Sequence, residues 1–252
     1  LEAERYPVKQ PAEDLIARAA EALAGADRPA IVIGGGTLRA GAGQEVVALA
    51  ELLDAPIVGT PQAKGVVPAG HPQYVGEQFA QVGINGELLE DSDVILLVGT
   101  RFLLFGFEAK AGQTIIKIDV DQRELEKDHG TTIAIDADAK SGLAAIGAAL
   151  CARGVDGVSA GQGDRALTYR KKLHKFLKDK APSQIAWVKA VREATDDDAV
   201  IISGMTNIGY WSLIAYDVRE GGEMITPGYF GNLGFSFPTA LGAKIAAGDR
   251  AV

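Results

Sequence analysis

Two stretches of the sequence carry residues suited to holding a phosphate. Gly34, Gly35 and Gly36 follow an apolar run at residues 30–33, and Arg101 follows a second apolar run at residues 93–100. Glycines at the carboxyl end of a parallel strand let backbone N–H groups and a helix N-terminus approach a phosphate, because a side chain there would block the approach. A guanidinium pairs well with a diphosphate. The pattern is not a complete G-x-G-x-x-G fingerprint and strand-end glycines also serve tight turns, so both interpretations stay open.

Acidic side chains end the next two apolar runs of the sequence. Asp119 closes the first of these runs and Asp138 follows the second. Carboxylates at strand ends suit the hydroxyls of a ribose, but they are equally common as helix N-caps, and capping is at least as favoured for Asp138. The sequence contains no G-x-S-x-G elbow, no H-E-x-x-H and no P-loop. We therefore predict no catalytic residue and no metal-ligand set within this chain.

The last 27 residues, 226–252, are rich in glycine just before a predicted helix at about 234–247. Gly231 and Gly234 flank Asn232 and Leu233, so Leu233 lies on a tight turn with exposed backbone on both sides. This arrangement suits pressing a backbone carbonyl and one apolar side chain against a flat ligand. Small residues in the following helix allow its backbone to pack close to a neighbour.

The elements that would position these residues alternate between strands and helices. Five apolar runs bounded by turn residues predict strands, at residues 30–36, 56–60, 93–100, 114–121 and 132–136. Runs that are apolar on both faces and alternate with helical patterns predict a parallel sheet covered on both sides. The predicted fold class is α/β: a parallel-sheet, Rossmann-like central domain at residues 1–153, followed by part of a second α/β domain at 164–252. A Gly-rich polar run at 154–163 is predicted to be the linker.

Composition narrows the class of protein. The net charge of −8 and the pI near 5.0 disfavour nucleic-acid binding, which normally requires a basic surface. No apolar run approaches the roughly 18 residues of a membrane helix, so no membrane association is predicted. Cys151 is the only cysteine, which excludes a disulfide framework and fits the cytoplasm; we expect it to fill space in the core.

Several segments together resemble a known family. The stretch GNLGFSFPTALGAKIA, residues 231–246, is similar to the segment GxMGFGLPAAIGA of thiamine-diphosphate-dependent enzymes of the acetolactate synthase and 2-oxoacid decarboxylase group. The stretches RPAIVIGGG, DVILLVGTRF and IIKIDVDQRELEKD resemble the central domain of that family and occur in the expected order. The resemblance covers nearly the whole chain and implies a central domain followed by the start of a diphosphate-binding domain.

The resemblance implies roles for two short segments. Gly231 would offer its carbonyl to the aminopyrimidine of thiamine diphosphate, and Leu233, next to Asn232, would hold the cofactor bent. Four residues that follow the strand AVIISG would fall in a loop that touches the diphosphate, although many members carry Gln and His at the middle two positions. These four are Gly204, Met205, Thr206 and Asn207.

The resemblance also implies positions for the metal-binding motif and for the glutamate that activates the cofactor. The GDG motif that binds Mg²⁺ would begin shortly after Val252, and the glutamate that activates the cofactor would lie in an upstream domain. We therefore expect this piece to be inactive by itself and its parent protein to be a homodimer or homotetramer. FAD or ADP in the central domain, held by Gly34, Gly35, Arg101, Asp119 and Asp138, is a less favoured expectation.

The function that this implies is decarboxylation or carboligation of 2-oxoacids or related carbonyl compounds, with thiamine diphosphate and Mg²⁺. The substrate stays open among decarboxylase, carboligase and lyase reactions. Two alternatives from other classes are a non-catalytic module that binds FAD or ADP and a purely structural α/β domain.

Overall fold

The computed structural model describes residues 7–77, 84–101, 109–127, 130–157, 164–228 and 230–252. A six-stranded, fully parallel sheet forms the first unit, in the order β3-β2-β1-β4-β5-β6. Its strands are β1 (Pro29–Ile33), β2 (Ile57–Gly59), β3 (Tyr74–Glu77), β4 (Val94–Val98), β5 (Thr114–Asp119) and β6 (Ile133–Asp136). The order reverses between β1 and β4, so ligands are expected at the carboxyl ends of these two strands.

The predicted α/β fold class is confirmed, and all five predicted strands are present. The sequence patterns missed β3, because the four residues of Tyr74–Glu77 include a glycine and a glutamate and do not form an apolar run. This strand pairs only with β2, at one edge of the sheet, where an apolar pattern on both faces is not required.

One face of this sheet is covered by helices of the first unit. These helices are α1 (Glu13–Ala24), α2 (Gly35–Arg39), α3 (Gly43–Leu53) and α6 (Ala139–Ala152). The short helix α5 (Gln122–Leu125) lies between β5 and β6. Every residue of β1 and β4 is buried, as expected for a central parallel strand. Cys151 lies on α6 but is exposed, so the expectation that it fills core space is wrong.

The opposite face is covered by α4 (Asn85–Glu90) and by α7 (Asp164–Lys180), the first helix after the predicted linker. Four residues of α7, Ala166, Tyr169, Leu173 and Leu177, are buried in the same cluster as Val32 and Leu97 of the sheet. The amphipathic pattern of α7 therefore serves the first unit. Most of the predicted linker at 154–163 lies outside the described residues.

The second unit repeats the alternation on a smaller scale. It contains α8 (Pro182–Ala194), β7 (Val200–Ile202), α9 (Asn207–Ala215), β8 (Glu223–Ile225) and α10 (Ser236–Ala247). The two strands pair in parallel, which confirms the expected start of a second α/β unit. Leu213, Tyr216, Val218 and Met224 form its buried cluster with Val188, whereas α10 has no buried residue. Over the described residues, no helix combines the length and the apolarity needed to cross a bilayer.

Candidate cofactor site

The loop between β7 and α9 leaves the small sheet at its carboxyl edge. The amide of Ser203 donates to the carbonyl of Ile225 at 2.9 Å, which ties the end of β7 to the end of β8. Thr206 is the N-cap of α9, since its hydroxyl accepts from the amide of Gly209 at 3.0 Å. Asn207 is the first residue of the helix. A helix N-terminus of this kind carries a partial positive charge and unpaired N–H groups, which suit a phosphate.

The structure brings the two predicted thiamine segments together. A Cβ atom added to Gly231 would lie 2.9 Å from the terminal methyl carbon of Met205. A Cβ atom added to Gly204 would lie 2.9 Å from the hydroxyl of Ser236, at the start of α10. The loop before α9 and the turn before α10 therefore pack against each other, and glycine at 204 and 231 permits this approach.

The turn at 231–234 has the geometry expected of a surface that receives a ligand. Gly231 and Gly234 have positive φ values of 61° and 76°, a conformation that favours glycine. Between them, Asn232 is exposed and Leu233 is 86 % exposed. An apolar side chain held this far from any protein contact is available to pack against a ligand.

Ser236 is a residue that the sequence analysis did not select. It occupies the position where the quoted family pattern has its third glycine, and its hydroxyl faces the Gly204 loop. The signal was available in the sequence, because this position departs from the pattern. What the sequence did not show was that the start of α10 would meet the loop before α9.

At the reversal point of the large sheet, the glycines contact protein backbone. The amide of Gly34 donates to the carbonyl of Val98 at 3.0 Å, and the amide of Gly36 donates to the carbonyl of Gly99 at 2.9 Å. Cβ atoms at these two glycines would lie 2.4 and 2.7 Å from backbone atoms of Gly99. These contacts favour the tight-turn interpretation of Gly34 and Gly36 over a phosphate-binding one, and Gly35 is buried as the first residue of α2.

The remaining candidates of the first unit lie at the same edge of the sheet. Arg101 is exposed three residues after β4. Asp119 ends β5, accepts from the amide of Asp121 at 3.0 Å, and has a raised pKa because it is partly buried. Asp138 caps α6 by accepting from the amides of Lys140 and Ser141, the alternative role considered for it. Binding of a nucleotide by this set stays a prediction.

Ligand groups for a metal are not gathered in the described parts of the chain. No cluster of three or more His, Cys, Asp and Glu residues suited to a metal occurs there. The acidic run Asp196 to Asp198 includes Asp197, which pairs with Arg219 at 2.5 Å.

Comparison with known proteins gives two family matches, one after the other along the chain. Residues 16–146 match the central domain of thiamine pyrophosphate enzymes, and residues 204–252 match their C-terminal TPP binding domain. The first match includes the large parallel sheet from β1 to β6. The second includes both segments of the candidate cofactor site, 204–207 and 231–234.

Individual relatives agree with these matches. The chain is 28 % identical over 95 % of its length to a "Probable 2-ketoarginine decarboxylase" of Pseudomonas aeruginosa. It is 29 % identical over 95 % of its length to acetolactate synthase isozyme 1 large subunit of Escherichia coli, and 30 % identical over 96 % to pyruvate oxidase of Lactiplantibacillus plantarum. The chain spans only 43 %, 43 % and 41 % of the length of these three relatives. Fold, site geometry and both matches lead to one conclusion: the chain belongs to the family of thiamine pyrophosphate enzymes.

Proposed function

We propose that this chain is part of an enzyme that uses thiamine diphosphate and Mg²⁺ to decarboxylate a 2-oxoacid or to join its acyl carbon to a second carbonyl compound. The single observation that carries the proposal is the convergence of the loop before α9 with the turn before α10. The similarity to an acetolactate synthase and to a probable 2-ketoarginine decarboxylase supports this class of reaction.

The residues present fit the two ends of the cofactor. The N-terminus of α9, with Thr206 and Asn207, would hold the diphosphate through backbone N–H groups and the helix dipole. Gly231 would accept a hydrogen bond from the aminopyrimidine, and Leu233 would pack between the two rings. When bound, thiamine diphosphate stabilises the negative charge that develops on the carbonyl carbon of the substrate. The chain's own part is to bind the cofactor, fix its shape and exclude water from its apolar side.

The organisation that we propose follows the two family matches. Residues 1–153 form the central domain, 154–163 the linker, and 164–252 the beginning of the diphosphate-binding domain. Mg²⁺ would be held by residues outside 1–252, so we propose that this piece alone has no activity. We also propose a cytoplasmic homodimer or homotetramer, on the strength of the resemblance alone.

A nucleotide-binding or purely structural role has less support. The amides of Gly34 and Gly36 are already paired with carbonyls of β4 and its following loop. Neither family match refers to a flavin. Bound FAD would nevertheless be recognised by its visible absorbance spectrum in the purified protein, and bound ADP by excess ultraviolet absorbance.

Calorimetric titration tests the proposal. Thiamine diphosphate with Mg²⁺, and separately inorganic pyrophosphate with Mg²⁺, are titrated into the enzyme that contains this chain. We expect Leu233→Ala to weaken thiamine diphosphate binding by about tenfold to a hundredfold, because truncating a packed leucine removes about 1.5–3 kcal/mol, and to lower turnover. Binding of pyrophosphate should not change, since Leu233 would contact only the rings.

Leu241→Ala is the matched control, because Leu241 is an exposed leucine further along the chain, within α10. It should leave both titrations unchanged. The proposal fails if the unsubstituted enzyme binds no thiamine diphosphate. If the Leu233→Ala and Leu241→Ala variants bind thiamine diphosphate equally well, Leu233 is not part of the site.

A further inference from the structure

A buried ion pair lies where the first unit meets the second. The ammonium of Lys64, just after the short 3-10 turn Pro61–Ala63, is 2.6 Å from a carboxylate oxygen of Glu77 at the end of β3. Both side chains are only 4 % exposed. The other carboxylate oxygen of Glu77 accepts from the hydroxyl of Tyr74, whose pKa is raised by burial and by the nearby charge of Glu77. Charged side chains are rarely buried so completely, because removing them from water is costly. Solubility does not explain this pair, so a structural role is required.

The ammonium of Lys64 also bonds to the second unit. It donates to the backbone carbonyl of Tyr216 at 2.7 Å, and Tyr216 is the C-cap residue directly after α9. Lys64 and Glu77 belong to the sheet unit, whereas α9 belongs to the unit that carries the candidate cofactor loop. The pair therefore joins elements 152 residues apart in the sequence.

Tyr216 is itself fixed within the second unit. Its hydroxyl is 2.8 Å from that of Thr195, and the guanidinium of Arg192 lies 5.2 Å from the centre of its ring. Tyr216 is 2 % exposed. A bond to its carbonyl consequently restrains a packed residue and the helix that it ends, not a loose segment of chain. The amide of Ala69 reinforces the same joint by donating to the carbonyl of Val218 at 3.0 Å.

We infer that Lys64 is a positioning residue that fixes α9, and with it the loop of Thr206 and Asn207, relative to the large sheet. α9 has nine residues and is about 13 Å long. Its C-terminal end is held by Lys64 and its N-terminal end begins the candidate site. A rigid helix transmits the position of one end to the other, so loss of the bond to Tyr216 would let the cofactor loop move relative to the first unit. The restraint is a property of the chain itself, and only its effect on thiamine diphosphate rests on the proposed function.

The two tryptophans make this inference directly measurable. The sequence has two, Trp187 on α8 and Trp211 on α9, and Trp211 also packs against the buried cluster that contains Val32 and Leu97 of the large sheet. Tryptophan fluorescence therefore reports on the second unit and on its contact with the first. Far-UV circular dichroism reports on the whole chain and is dominated by the larger first unit. In the unsubstituted 252-residue chain we expect both signals to change at the same urea concentration, as for a single cooperative unit.

The main variant is Lys64→Met, which keeps the length of the side chain and removes its charge and donors. It leaves Glu77 buried without its cation, which is strongly destabilising. We expect the fluorescence midpoint to move to a lower urea concentration than the dichroism midpoint. Lys175→Met is the control, because Lys175 pairs with Asp179 on the surface, where its side chain is 78 % exposed. It should leave the two midpoints coincident.

A double variant separates positioning from general stability. Lys64→Met with Glu77→Gln removes both charges, while the amide oxygen introduced at position 77 can still accept from Tyr74, so the dichroism midpoint should return close to the original value. The bond to the carbonyl of Tyr216 stays absent, so the fluorescence midpoint should remain lower. This variant also decides the question if Lys64→Met alone does not fold. The inference is overturned if the two midpoints of the double variant coincide.

Ligand binding provides a second readout. In the enzyme that contains this chain, the double variant should weaken the binding of thiamine diphosphate and of inorganic pyrophosphate by a similar factor of about ten. The reason is that the loop that holds the phosphates would be displaced. Leu233→Ala, in contrast, should weaken only thiamine diphosphate. Unchanged binding of both probes would overturn the link between Lys64 and the loop. Failure of the unsubstituted enzyme to bind thiamine diphosphate would instead refute the proposed function, and the unfolding midpoints would still decide the restraint on α9.

Discussion

The two units of this chain differ in how completely they bury their own elements. In the first unit, the inner strands β1 and β4 are buried throughout and helices cover both faces of a six-stranded sheet. In the second unit, the sheet among the described residues has two strands of three residues each, and α10 exposes Phe237, Leu241 and Ile245 at four-residue spacing. The candidate cofactor residues lie on the unit with the smaller core.

This difference indicates how the geometry of the site is maintained. A two-stranded sheet with few buried residues does not fix its own loops, since isolated pairs of strands are marginally stable. The first unit supplies the restraint through the buried Lys64–Glu77 pair and through α7, which packs on the large sheet and leads directly into α8. The unit with the larger core thus supports the unit that carries the candidate cofactor residues.

The largest effect that would test this comparison is the removal of a core leucine. Leu96 in β4 is fully buried, and Leu96→Ala should lower the free energy of unfolding by about 2–5 kcal/mol, since it removes apolar contacts and leaves a cavity. Leu241→Ala, at a position 55 % exposed on α10, should change it by no more than about 0.5 kcal/mol. Urea denaturation monitored by circular dichroism measures both. Equal losses would show that the two units are packed to a similar degree.

A smaller effect is expected when alanine replaces either of two glycines that have nearly the same backbone conformation. Gly99 has φ of 54° and Gly231 has φ of 61°, so alanine carries a similar left-handed penalty of about 1–2 kcal/mol at each. At Gly99 the new methyl would meet backbone of Gly36 at 2.7 Å, whereas at Gly231 it would meet the flexible end of Met205. Gly99→Ala should therefore cost about 1–3 kcal/mol more than Gly231→Ala in thermal or urea unfolding. The reverse order would contradict the tight contact at the reversal point of the sheet.

The smallest effect concerns the acid sensitivity of the contact between α7 and the end of α4. Partial burial acts to raise the pKa of Asp91, but hydrogen bonds from Tyr169 and Arg28, together with the charges of Arg28 and Arg165, outweigh it and lower that pKa below its ordinary value. A lowered carboxyl pKa stabilises the fold above the unfolded value of about 3.9, and this contribution disappears as the pH falls through the lowered value.

Asp91→Asn should consequently lower the urea midpoint at pH 7 and reduce its further decline between about pH 5 and pH 3. The matched control is Glu90→Gln, since Glu90 is the neighbouring acid and its pair with Lys110 is exposed. An equal decline in the original chain and in Asp91→Asn would remove Asp91 as the source of the acid sensitivity.

Much of the fold followed from local patterns. The apolar runs at 93–100 and 114–121 predicted β4 and β5, because a strand buried on both faces has almost no polar residues. The edge strand β3 was not predicted, because its four residues include a glycine and a glutamate. Lys117 shows a further limit: it lies in the middle of β5, is fully buried, and donates to the carbonyl of Glu124 at 2.5 Å, an arrangement that its charge would not suggest. Burial accordingly lowers the pKa of Lys117.

The candidate site shows the same contrast between local sequence patterns, which could be recognised, and contacts between distant residues, which could not. Glycines on each side of Leu233, and the order of the motifs, predicted the family, which is confirmed. They also predicted the segments 204–207 and 231–234, whose role in binding the cofactor stays a prediction. Both segments consist of residues that are close together in the sequence. Their glycines and other small side chains form short motifs that can be recognised without the structure.

Contacts between distant residues were decided only by the tertiary structure. Nothing in the sequence around Lys64 indicates that its ammonium meets Glu77 and the carbonyl of Tyr216, or that the hydroxyl of Ser236 faces Gly204. Backbone carbonyls carry no sequence signal, and the pairing of two buried charges depends on how α9 and β3 pack. The sequence by itself determined the elements, their order and the family. The three-dimensional packing decided which residues hold the candidate cofactor loop in place, because that restraint is made of contacts between elements and not of any element alone.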